Sequence, residues 1–444
     1  MTRRPALLID ASDQDQTDCI QAAIDQACDS GGGCVELGAG VHMTRGLRLK
    51  SGVELHLAND AILRPIPSYD AYGGTTVSVI AEKSDRGIIV AKDASDISLT
   101  GPGRIEAAGE CFIAGDDPDM GTFIPAPLRP RVVVFENCRG VRLEELEIRD
   151  SPMWTVHLVN CVDVHVRRLT VSNNRRLPNT DGIVLDACRH ALIEDCVIST
   201  ADDGICLKTS ARPDGRAIGE CIDIHVRRCL VESFSCALKI GTESYGDFSD
   251  ILFEDCRVQS SNRALGLFSR DGGRIANVRF HRIAVDCHET LDGFWGSGEA
   301  LTVTVVDRVP ERQAGQVSNL IVEDLSGSMQ GAMTLVSTSA ARITDVKLSR
   351  LRLQQEMGPL GTALCYDLRP TNADLAPSTD AAGRANAWTK GADGRVIGMV
   401  DYPGGMPVLF AAGVEGITID DMQVDRPEPL PIGWSEEPVV YKAR

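Results

Sequence analysis

Two short acidic segments contain the side chains best suited to acid–base chemistry. Asp181 lies in the segment TDGIVL, and Asp202 and Asp203 begin the segment DDGICL. If the two segments form neighbouring strands, the three carboxyl groups lie close together, and like charges at that range raise at least one pKa. One protonated carboxyl group beside an ionised carboxylate is what hydrolysis of a glycosidic bond requires. We therefore predict that Asp202, Asp181 and Asp203 are catalytic.

The same three aspartates are also compatible with two non-catalytic roles. Aspartate before glycine is a common turn pair, so the three could be solvated turn residues. Clustered carboxylates also bind hard cations such as calcium, and activity in the presence of a chelator would separate that role from catalysis. The fifteen cysteines contain no CxxC pair and no zinc-finger spacing, so we predict no metal site and reduced, structural cysteines.

A repeat along the chain predicts the elements that bring the aspartates together. The phrases GVRLEELEI from Gly140 and DVHVRRLTV from Asp163 alternate apolar and polar residues, which is typical of strands. Related phrases begin at His190, Asp223, Asp250, Asn277, Asn319 and Asp345, in steps of 23 to 42 residues. Such steps suit a β-helix whose coils hold two or three short strands, and the leucine spacing of leucine-rich repeats is absent.

Coils of this kind bury their inner faces only against each other, so we predict a single all-β domain over residues 1–444. The N-terminal cap covers about residues 1–40, with a capping helix at Asp18–Cys28 and Asp15 or Thr17 as its N-cap. The coils cover about residues 41–355. Residues 356–444 are predicted to hold a long loop, from about Tyr366 to Pro407, and a last strand pair near Gly416–Val424.

A second strand in each coil aligns outward side chains in columns. One column reads Trp154, Asp181, Asp203, Cys236, Arg263 and Glu299, and the next reads His157, Val184, Cys206, Lys239, Gly266 and Thr302. Because stacked strands lie about 4.8 Å apart, residues distant in sequence become neighbours. Carboxylates, cations, an imidazole and an indole therefore share one face, which favours a carbohydrate groove.

The segments PNTDGI at Pro178–Ile183 and ADDGICLKT at Ala201–Thr209 resemble the strongest signatures of glycoside hydrolase family 28, the polygalacturonases. The similarity spans about Leu8 to Ser328, and the chain is similar to a divergent member. The resemblance implies a right-handed parallel β-helix and inverting hydrolysis without a cofactor. It also implies that Asp202 is the general acid, that Asp181 and Asp203 activate water, and that Asn179 positions the site.

Two departures from the family pattern bear on the substrate. Ser235-Cys236-Ala237 stands where the family has Gly-His-Gly, and Gly266-Leu267-Phe268 stands where its Arg-Ile-Lys binds a uronate carboxylate. A uronate would therefore need Lys239, Arg263 or Arg270 as a replacement cation. The predicted substrate-binding residues are Asn179, Lys239, Glu243, Arg263, Arg270, Trp295, Glu299, His157, Trp154 and Lys208. Each has a structural alternative, such as an ion pair of Lys239 with an aspartate.

Charge and hydropathy limit the classes of partner. The formal net charge of −18 disfavours nucleic acid and anionic membranes, and no apolar segment reaches membrane-spanning length. No export signal is visible, so we expect a cytoplasmic, exo-acting hydrolase of oligo- or polysaccharides. A homo-oligomer is compatible with the sequence. The alternatives are a polysaccharide lyase or sugar transferase, with Lys239 or Arg263 near the reacting atoms, and a non-catalytic carbohydrate-binding β-helix.

Overall fold

Short strands with alternating apolar and polar residues stack coil upon coil into three ladders of parallel strands. The structure, a computed structural model, describes residues 6–291, 294–369 and 389–442. Backbone hydrogen bonds join each strand to its counterpart in the next coil, and ladders 1 and 2 form one continuous bent sheet. The fold is the predicted right-handed parallel β-helix.

The three ladders and the remaining elements have the following bounds. Ladder 1 contains Ala6–Ile9, Gly33–Leu37, Val53–Leu57, Ser95–Thr100, Arg139–Glu144, Val162–Arg167, Arg189–Glu194, Cys221–Arg227, Phe248–Glu254, Ile275–Cys287, Val317–Met329, Ile343–Gln355 and Val414–Asp425. Ladder 2 contains Ser12–Asp15, Gly40–Thr44, Ala61–Pro65, Arg104–Glu106, Glu147–Arg149, Thr170–Ser172, Val197–Thr200, Leu230–Ser233 and Arg257–Val258. Ladder 3 contains Leu47–Arg48, Gly87–Lys92, Arg131–Glu136, Val156–Val159, Ile183–Asp186, Ile205–Thr209, Cys236–Ser244, Arg263–Ser269, Leu301–Val305, Met333–Ser337, Leu409–Ala412 and Val439–Lys442. Outside the ladders lie an α-helix at Thr17–Asp29, 3-10 helices at Tyr69–Tyr72, Gly109–Phe112 and Thr362–Leu364, and antiparallel pairs Ile113–Asp117 with Thr122–Pro125 and Cys365–Asp367 with Met399–Asp401.

The repeated phrases pair in the predicted register. Val141 lies opposite Val164, which lies opposite Ala191, and the alignment continues to Val346. The first residue of every phrase, from Gly140 onward, has a left-handed φ of 52° to 69°. Glycine, asparagine and aspartate tolerate that conformation best, which explains why they recur at this turn.

Each phrase is bent by a second left-handed residue, which the alternating pattern did not reveal. In the first phrase this residue is Glu145, with φ 59°, and it lies between Arg139–Glu144 and Glu147–Arg149. As far as Arg257–Val258, the bend sends the first half of each phrase into ladder 1 and the second half into ladder 2, so these coils contain three strands, the upper of the two predicted numbers. Later phrases continue through the bend as single strands, at Ile275–Cys287, Val317–Met329 and Ile343–Gln355.

The capping helix covers the N-terminal end of the core. Ile20 and Ile24 are fully buried in the same apolar cluster as the first coils. The helix begins at Thr17, and its N-cap is Gln16, so the prediction of Asp15 or Thr17 as N-cap was wrong. The Asp15 carboxylate instead accepts a hydrogen bond of 3.0 Å from the Thr17 backbone N–H.

Most cysteines lie inside the coils, as predicted. Eleven of the fifteen are buried, and all fifteen are free thiols. Cys138, Cys161 and Cys188 occupy one turn in three successive coils, where each backbone carbonyl accepts a hydrogen bond from the coil that follows. A small apolar thiol fits this repeated buried turn, so the structural interpretation is confirmed.

The ladders extend beyond the predicted coil range of 41–355 at both ends. Ser12–Asp15 is a strand paired with Gly40–Thr44, although its polar residues look like an acidic loop in the sequence. Val414–Asp425 contains the predicted last strand pair, and the ladders continue to Val439–Lys442. Part of the predicted loop, residues 370–388, lies outside the described residues. No helix in the described part of the chain is long and apolar enough to cross a membrane.

Candidate active site

Ladder 3 places the predicted columns in register. Val156 pairs with Ile183, and Ile183 with Ile205, so Trp154, Asp181 and Asp203 occupy equivalent positions at the starts of consecutive strands. The next column is paired throughout, from His157 through Val184, Cys206, Lys239 and Gly266 to Thr302. The strand alignment made from the sequence is confirmed.

Gly182 and Gly204, which follow Asp181 and Asp203, must be glycines because the next coil approaches their backbone closely. A Cβ atom at Gly182 would lie 2.5 Å from the Gly204 carbonyl oxygen, and one at Gly204 would lie 2.7 Å from the Ala237 carbonyl oxygen. Each of the two glycines also donates a backbone hydrogen bond of 2.9 Å to the next coil. The Asp-Gly pairs thus hold the coils together, and they fix the backbone from which the aspartate side chains project.

The three aspartates are buried and adjacent. Asp181, Asp202 and Asp203 are only 3%, 8% and 1% exposed, so the prediction of solvated turn residues, kept open as an alternative, is wrong. One oxygen from each carboxyl group lies within 4.8 Å of the others. Three carboxyl groups this close and this dry cannot all remain ionised without positive charge nearby.

Asp202 is held by two backbone donors. Its Oδ1 accepts a hydrogen bond of 3.0 Å from the Asp203 N–H, and its Oδ2 accepts one of 3.2 Å from the Asn179 N–H. Burial, together with the negative charge of Asp203, nevertheless raises the pKa of Asp202 to about 6. Asp202 therefore keeps its proton into the weakly acidic range, as a general acid must.

Asp203 accepts hydrogen bonds from two neighbouring side chains. Its Oδ2 accepts a hydrogen bond of 2.6 Å from Lys239 Nζ, and its Oδ1 accepts one of 3.1 Å from the Ser235 hydroxyl. Asp181 lacks so close a cation, since Lys208 Nζ is 4.0 Å from its Oδ2. Burial and the charges of Asp202 and Asp203 raise the pKa of Asp181 well above its ordinary value.

Lys208 forms the second positive charge of the cluster. Its Nζ donates a hydrogen bond of 2.9 Å to Glu243, lies 3.8 Å from Asp203 and sits over the Trp154 ring, 5.0 Å from the centroid. Burial lowers the pKa of Lys208, but Cys206, Glu243 and the aspartates raise it above its ordinary value. Lys208 thus supports the aspartates electrostatically as well as lining the cavity over them.

The two lysines also argue against calcium. The three aspartates are a group of ligands close enough for a metal ion. However, the ammonium groups of Lys239 and Lys208 lie 2.6 Å and 3.8 Å from Asp203 Oδ2, where they already balance the carboxylate charge. A divalent cation in the cluster would have to overcome their repulsion at short range.

Arg129, which the sequence analysis did not single out, holds Asn179 in place. Asn179 has a left-handed φ of 60°, and its side-chain oxygen accepts a hydrogen bond of 2.7 Å from Arg129 Nη2. Arg129 Nη1 donates to the carbonyl oxygens of Pro178 and Pro152. Burial lowers the pKa of Arg129 to about 10, so the guanidinium remains charged at neutral pH. Because Asn179 N–H contacts Asp202, Arg129 positions the proposed acid through the backbone.

A cavity of about 300 Å³ opens over the aspartates. Seven of the ten predicted substrate-binding residues line it: Asn179, Lys239, Glu243, Arg263, Trp295, Trp154 and Lys208. Trp154 is almost completely buried against His157, at a ring-centroid distance of 4.7 Å, so it lines the base of the cavity and offers no broad platform. Trp295 is half-buried and forms part of the wall.

Arg270, Glu299 and His157 do not line the cavity, which contradicts the prediction that they face substrate. Arg270 is buried and donates to the carbonyl and hydroxyl oxygens of Thr304. His157 accepts a hydrogen bond of 2.6 Å from Arg131, and burial lowers its pKa to about 4. Glu299 is fully buried, and burial raises its pKa. Contacts with other residues bury these three side chains, whereas a strand alignment treats outward positions as open.

The remaining cavity wall comes from segments for which the sequence analysis predicted no role. Asp367 Oδ2 accepts a hydrogen bond of 2.8 Å from Arg263, and both its oxygens accept hydrogen bonds from Arg369. Further residues of the wall are Glu82, Asp117, Met120, Thr122, Phe123, Ile124, Pro125, Pro178, Ser235, Thr242, Phe268 and Phe294. Asp367 lies 104 positions after Arg263, and no local pattern connects the two.

Comparison with known proteins agrees with this architecture. Residues 70–359 match the model of glycosyl hydrolases family 28. A probable polygalacturonase of Vitis vinifera is 27% identical over 60% of this chain and 56% of its own length, and one of Arabidopsis thaliana is 37% identical over 57% and 55%. The matches thus span little more than half the length of these relatives.

A crystal structure shows the same fold. The hyperthermoactive exopolygalacturonase of Thermotoga maritima superposes with a TM-score of 0.63 at 22% identity, over 78% of this chain and 87% of the other. The family match covers well over half of the 444 residues and includes all three buried aspartates. This chain therefore belongs to family 28 of the glycosyl hydrolases.

Proposed function

We propose that this protein hydrolyses a glycosidic bond of an oligo- or polysaccharide, either pectin-type or a related glycan. Asp202 gives its proton to the leaving oxygen, while Asp181 and Asp203 activate the attacking water, whose proton passes to an ionised carboxylate of this pair. The observation that carries the proposal is that Asp202 is buried and has a pKa of about 6. One oxygen of Asp202 lies within 4.8 Å of an oxygen of each of the two further carboxyl groups. Such a separation of roles between neighbouring carboxyl groups is typical of glycosidases.

Exchange of one atom in Asp202 tests this proposal. Asp202→Asn removes the transferable proton and keeps the size and one acceptor, so we expect release of reducing sugar to fall by about 10² to 10⁴. Asp214→Asn, on an exposed loop and paired only with arginine, is the matched control. Circular dichroism verifies that both variants fold. Full activity of Asp202→Asn would refute the assignment.

The geometry gives little support to a lyase. A lyase needs a deprotonated base, and Lys239 and Arg263 were the candidates. Burial lowers the pKa of Lys239, but Asp203 and other neighbours raise it above its ordinary value, and Glu299 and Asp367 raise that of Arg263. Both side chains therefore stay protonated at neutral pH. An unsaturated product absorbing in the ultraviolet would contradict this conclusion.

We further propose an exo-acting enzyme. The cavity, at about 300 Å³, is at the small end of the range for ligand sites, and the segments around Phe294–Trp295 and Asp367–Arg369 form its walls. The neighbour from Thermotoga maritima is named an exopolygalacturonase. Release of only mono- or disaccharides from a polymer, with viscosity falling slowly, is the expected result. An early, broad range of fragment lengths would indicate endo action.

A further inference from the structure

Acidic side chains outnumber basic ones in the cavity. Among the described residues, its carboxyl groups are Glu82, Asp117, Asp181, Asp202, Asp203, Glu243 and Asp367, and its cations are Lys208, Lys239, Arg263 and Arg369. Seven carboxyl groups thus face four cations. This count covers only the side chains that line the cavity, and the buried Arg308 lies 3.4 Å from Glu243 Oε1.

Each of the four cations already has a carboxylate partner. Lys208 lies 2.9 Å from Glu243, and Lys239 lies 2.6 Å from Asp203. Arg263 and Arg369 both bind Asp367, at 2.8 Å and 2.9 Å. An incoming carboxylate would have to share a cation whose charge is already balanced by an internal carboxylate in a buried site.

An aromatic ring fills the position beside Lys239. Gly266 pairs with Lys239 in ladder 3, and a Cβ atom at Gly266 would lie 2.4 Å from a ring carbon of Phe268. The ring lies directly against the backbone there, with Lys239 Nζ 5.4 Å and Arg263 Cζ 5.1 Å from its centroid. These two cations are thus engaged by a ring face as well as by carboxylates.

We propose that the sugar bound in this cavity is uncharged, a neutral glycosyl residue rather than a free uronate. The inference deepens the proposed glycosidase function and rests on it for the assignment of this cavity as the substrate site. The aromatic walls of Phe268, Phe294 and Trp295 can pack on the apolar face of a neutral pyranose. A uronate carboxylate would bring another negative charge into a cavity whose lining carboxyl groups already outnumber its lining cations.

Binding to the unmodified full-length protein tests the inference without requiring turnover. The ligands are methyl 1-thioglycosides, which resist hydrolysis: galactoside with galacturonide, glucoside with glucuronide, and each uronide also as its methyl ester. Calorimetry at pH 7 and 0.15 M salt gives the dissociation constants. We expect the tightest ligand to be neutral and each free uronide to bind at least tenfold more weakly than its own ester. A free uronide that binds as tightly as its ester would overturn the inference.

A pair of variants tests the role of the internal carboxylates. Asp367→Asn removes the charge that engages Arg263 and Arg369. The gap between uronide and ester, meaning the ratio of their dissociation constants, should therefore narrow at least threefold. Asp401→Asn, on the partner strand of the same hairpin and paired with Arg395, is the matched control and should leave the gap unchanged. Glu243→Gln provides the same test at Lys208. An unchanged gap in both cavity variants would overturn the charge argument.

Hydrolysis is measured separately, so the two proposals fail in different ways. Preference for neutral ligands without cleavage of any neutral or acidic O-glycoside would refute the glycosidase and support the uncharged ligand. Efficient cleavage of galacturonan together with tight binding of free galacturonide would support the glycosidase and refute the uncharged ligand.

Discussion

Lys239 Nζ lies 2.6 Å from Asp203 Oδ2, and 13% of the Lys239 side chain remains exposed toward the cavity. The two residues are 36 positions apart in the sequence and meet only because their strands are consecutive in ladder 3. The lysine donates a hydrogen bond to Asp203, and its positive charge lowers the pKa of Asp202. One side chain thus influences both the proposed base and the proposed acid.

Replacement of this lysine should shift the pH dependence of activity. Asp202 must be protonated to act, so kcat/KM should fall as the pH rises through about 6. Loss of the positive charge in Lys239→Gln raises the pKa of Asp202 further, and the alkaline limb should move to higher pH. Lys92→Gln, at an exposed strand end, is the control. An alkaline limb that stays in place or moves to lower pH in Lys239→Gln would contradict the assignment of Asp202 as the acid.

Asp202→Asn should stabilise the folded protein at neutral pH. The pKa of Asp202 is about 6 when folded, against 3.8 for an ordinary aspartate, so the folded state holds the proton more tightly. As the pH rises from about 4 to above 6, ionisation therefore favours the unfolded chain, by up to about 3 kcal/mol. Asparagine does not ionise and avoids this cost.

Urea unfolding of the wild type and Asp202→Asn at pH 4, 5.5 and 7.5 measures the effect. The variant should show the higher midpoint at pH 7.5, and the difference should shrink toward pH 4. Asp214→Asn, which changes an exposed loop, should alter the free energy of unfolding by less than about 0.5 kcal/mol at each pH. An equal gain at pH 4 and pH 7.5 would show that the cost does not come from ionisation.

A chelator should leave activity unchanged. Lys239 and Lys208 already supply positive charge to the aspartate cluster, so no divalent cation is needed to keep the carboxylates together. The test is the rate of sugar release before and after dialysis against EDTA, followed by addition of calcium. Activity that disappears with EDTA and returns with calcium would show that the aspartates bind a metal ion after all.

The product should have the inverted configuration at the anomeric carbon. Both oxygens of Asp203 accept hydrogen bonds, from Ser235 and Lys239, which hold this carboxylate in place beside the attacking water. Activation of water needs only one oxygen lone pair. Proton NMR during the first minutes of the reaction identifies the anomer that is released.

The opposite outcome, retention of configuration, would make Asp181 or Asp203 a nucleophile and would contradict this prediction. The anomer observed by NMR decides between the two mechanisms.

The repeat in the sequence was sufficient to predict the β-helix and the register of its strands. Strand alternation and left-handed turn residues are local properties, and parallel stacking turns a sequence alignment into a spatial one. For this reason the sequence alone could place Asp181 and Asp203 in one column, with Asp202 beside them. The same alignment correctly placed Lys239 one coil beyond Cys206.

Only the tertiary structure decided which outward positions are open. His157, Arg270 and Glu299 are buried, and His157 contacts Arg131 while Arg270 contacts Thr304. Asp367 reaches Arg263 from a segment with no repeat pattern, because a loop's path depends on what it packs against and not on its own periodicity. The charge balance of the cavity depends on such contacts, since a carboxylate far away in the sequence can neutralise a cation that the strand alignment would leave unpaired.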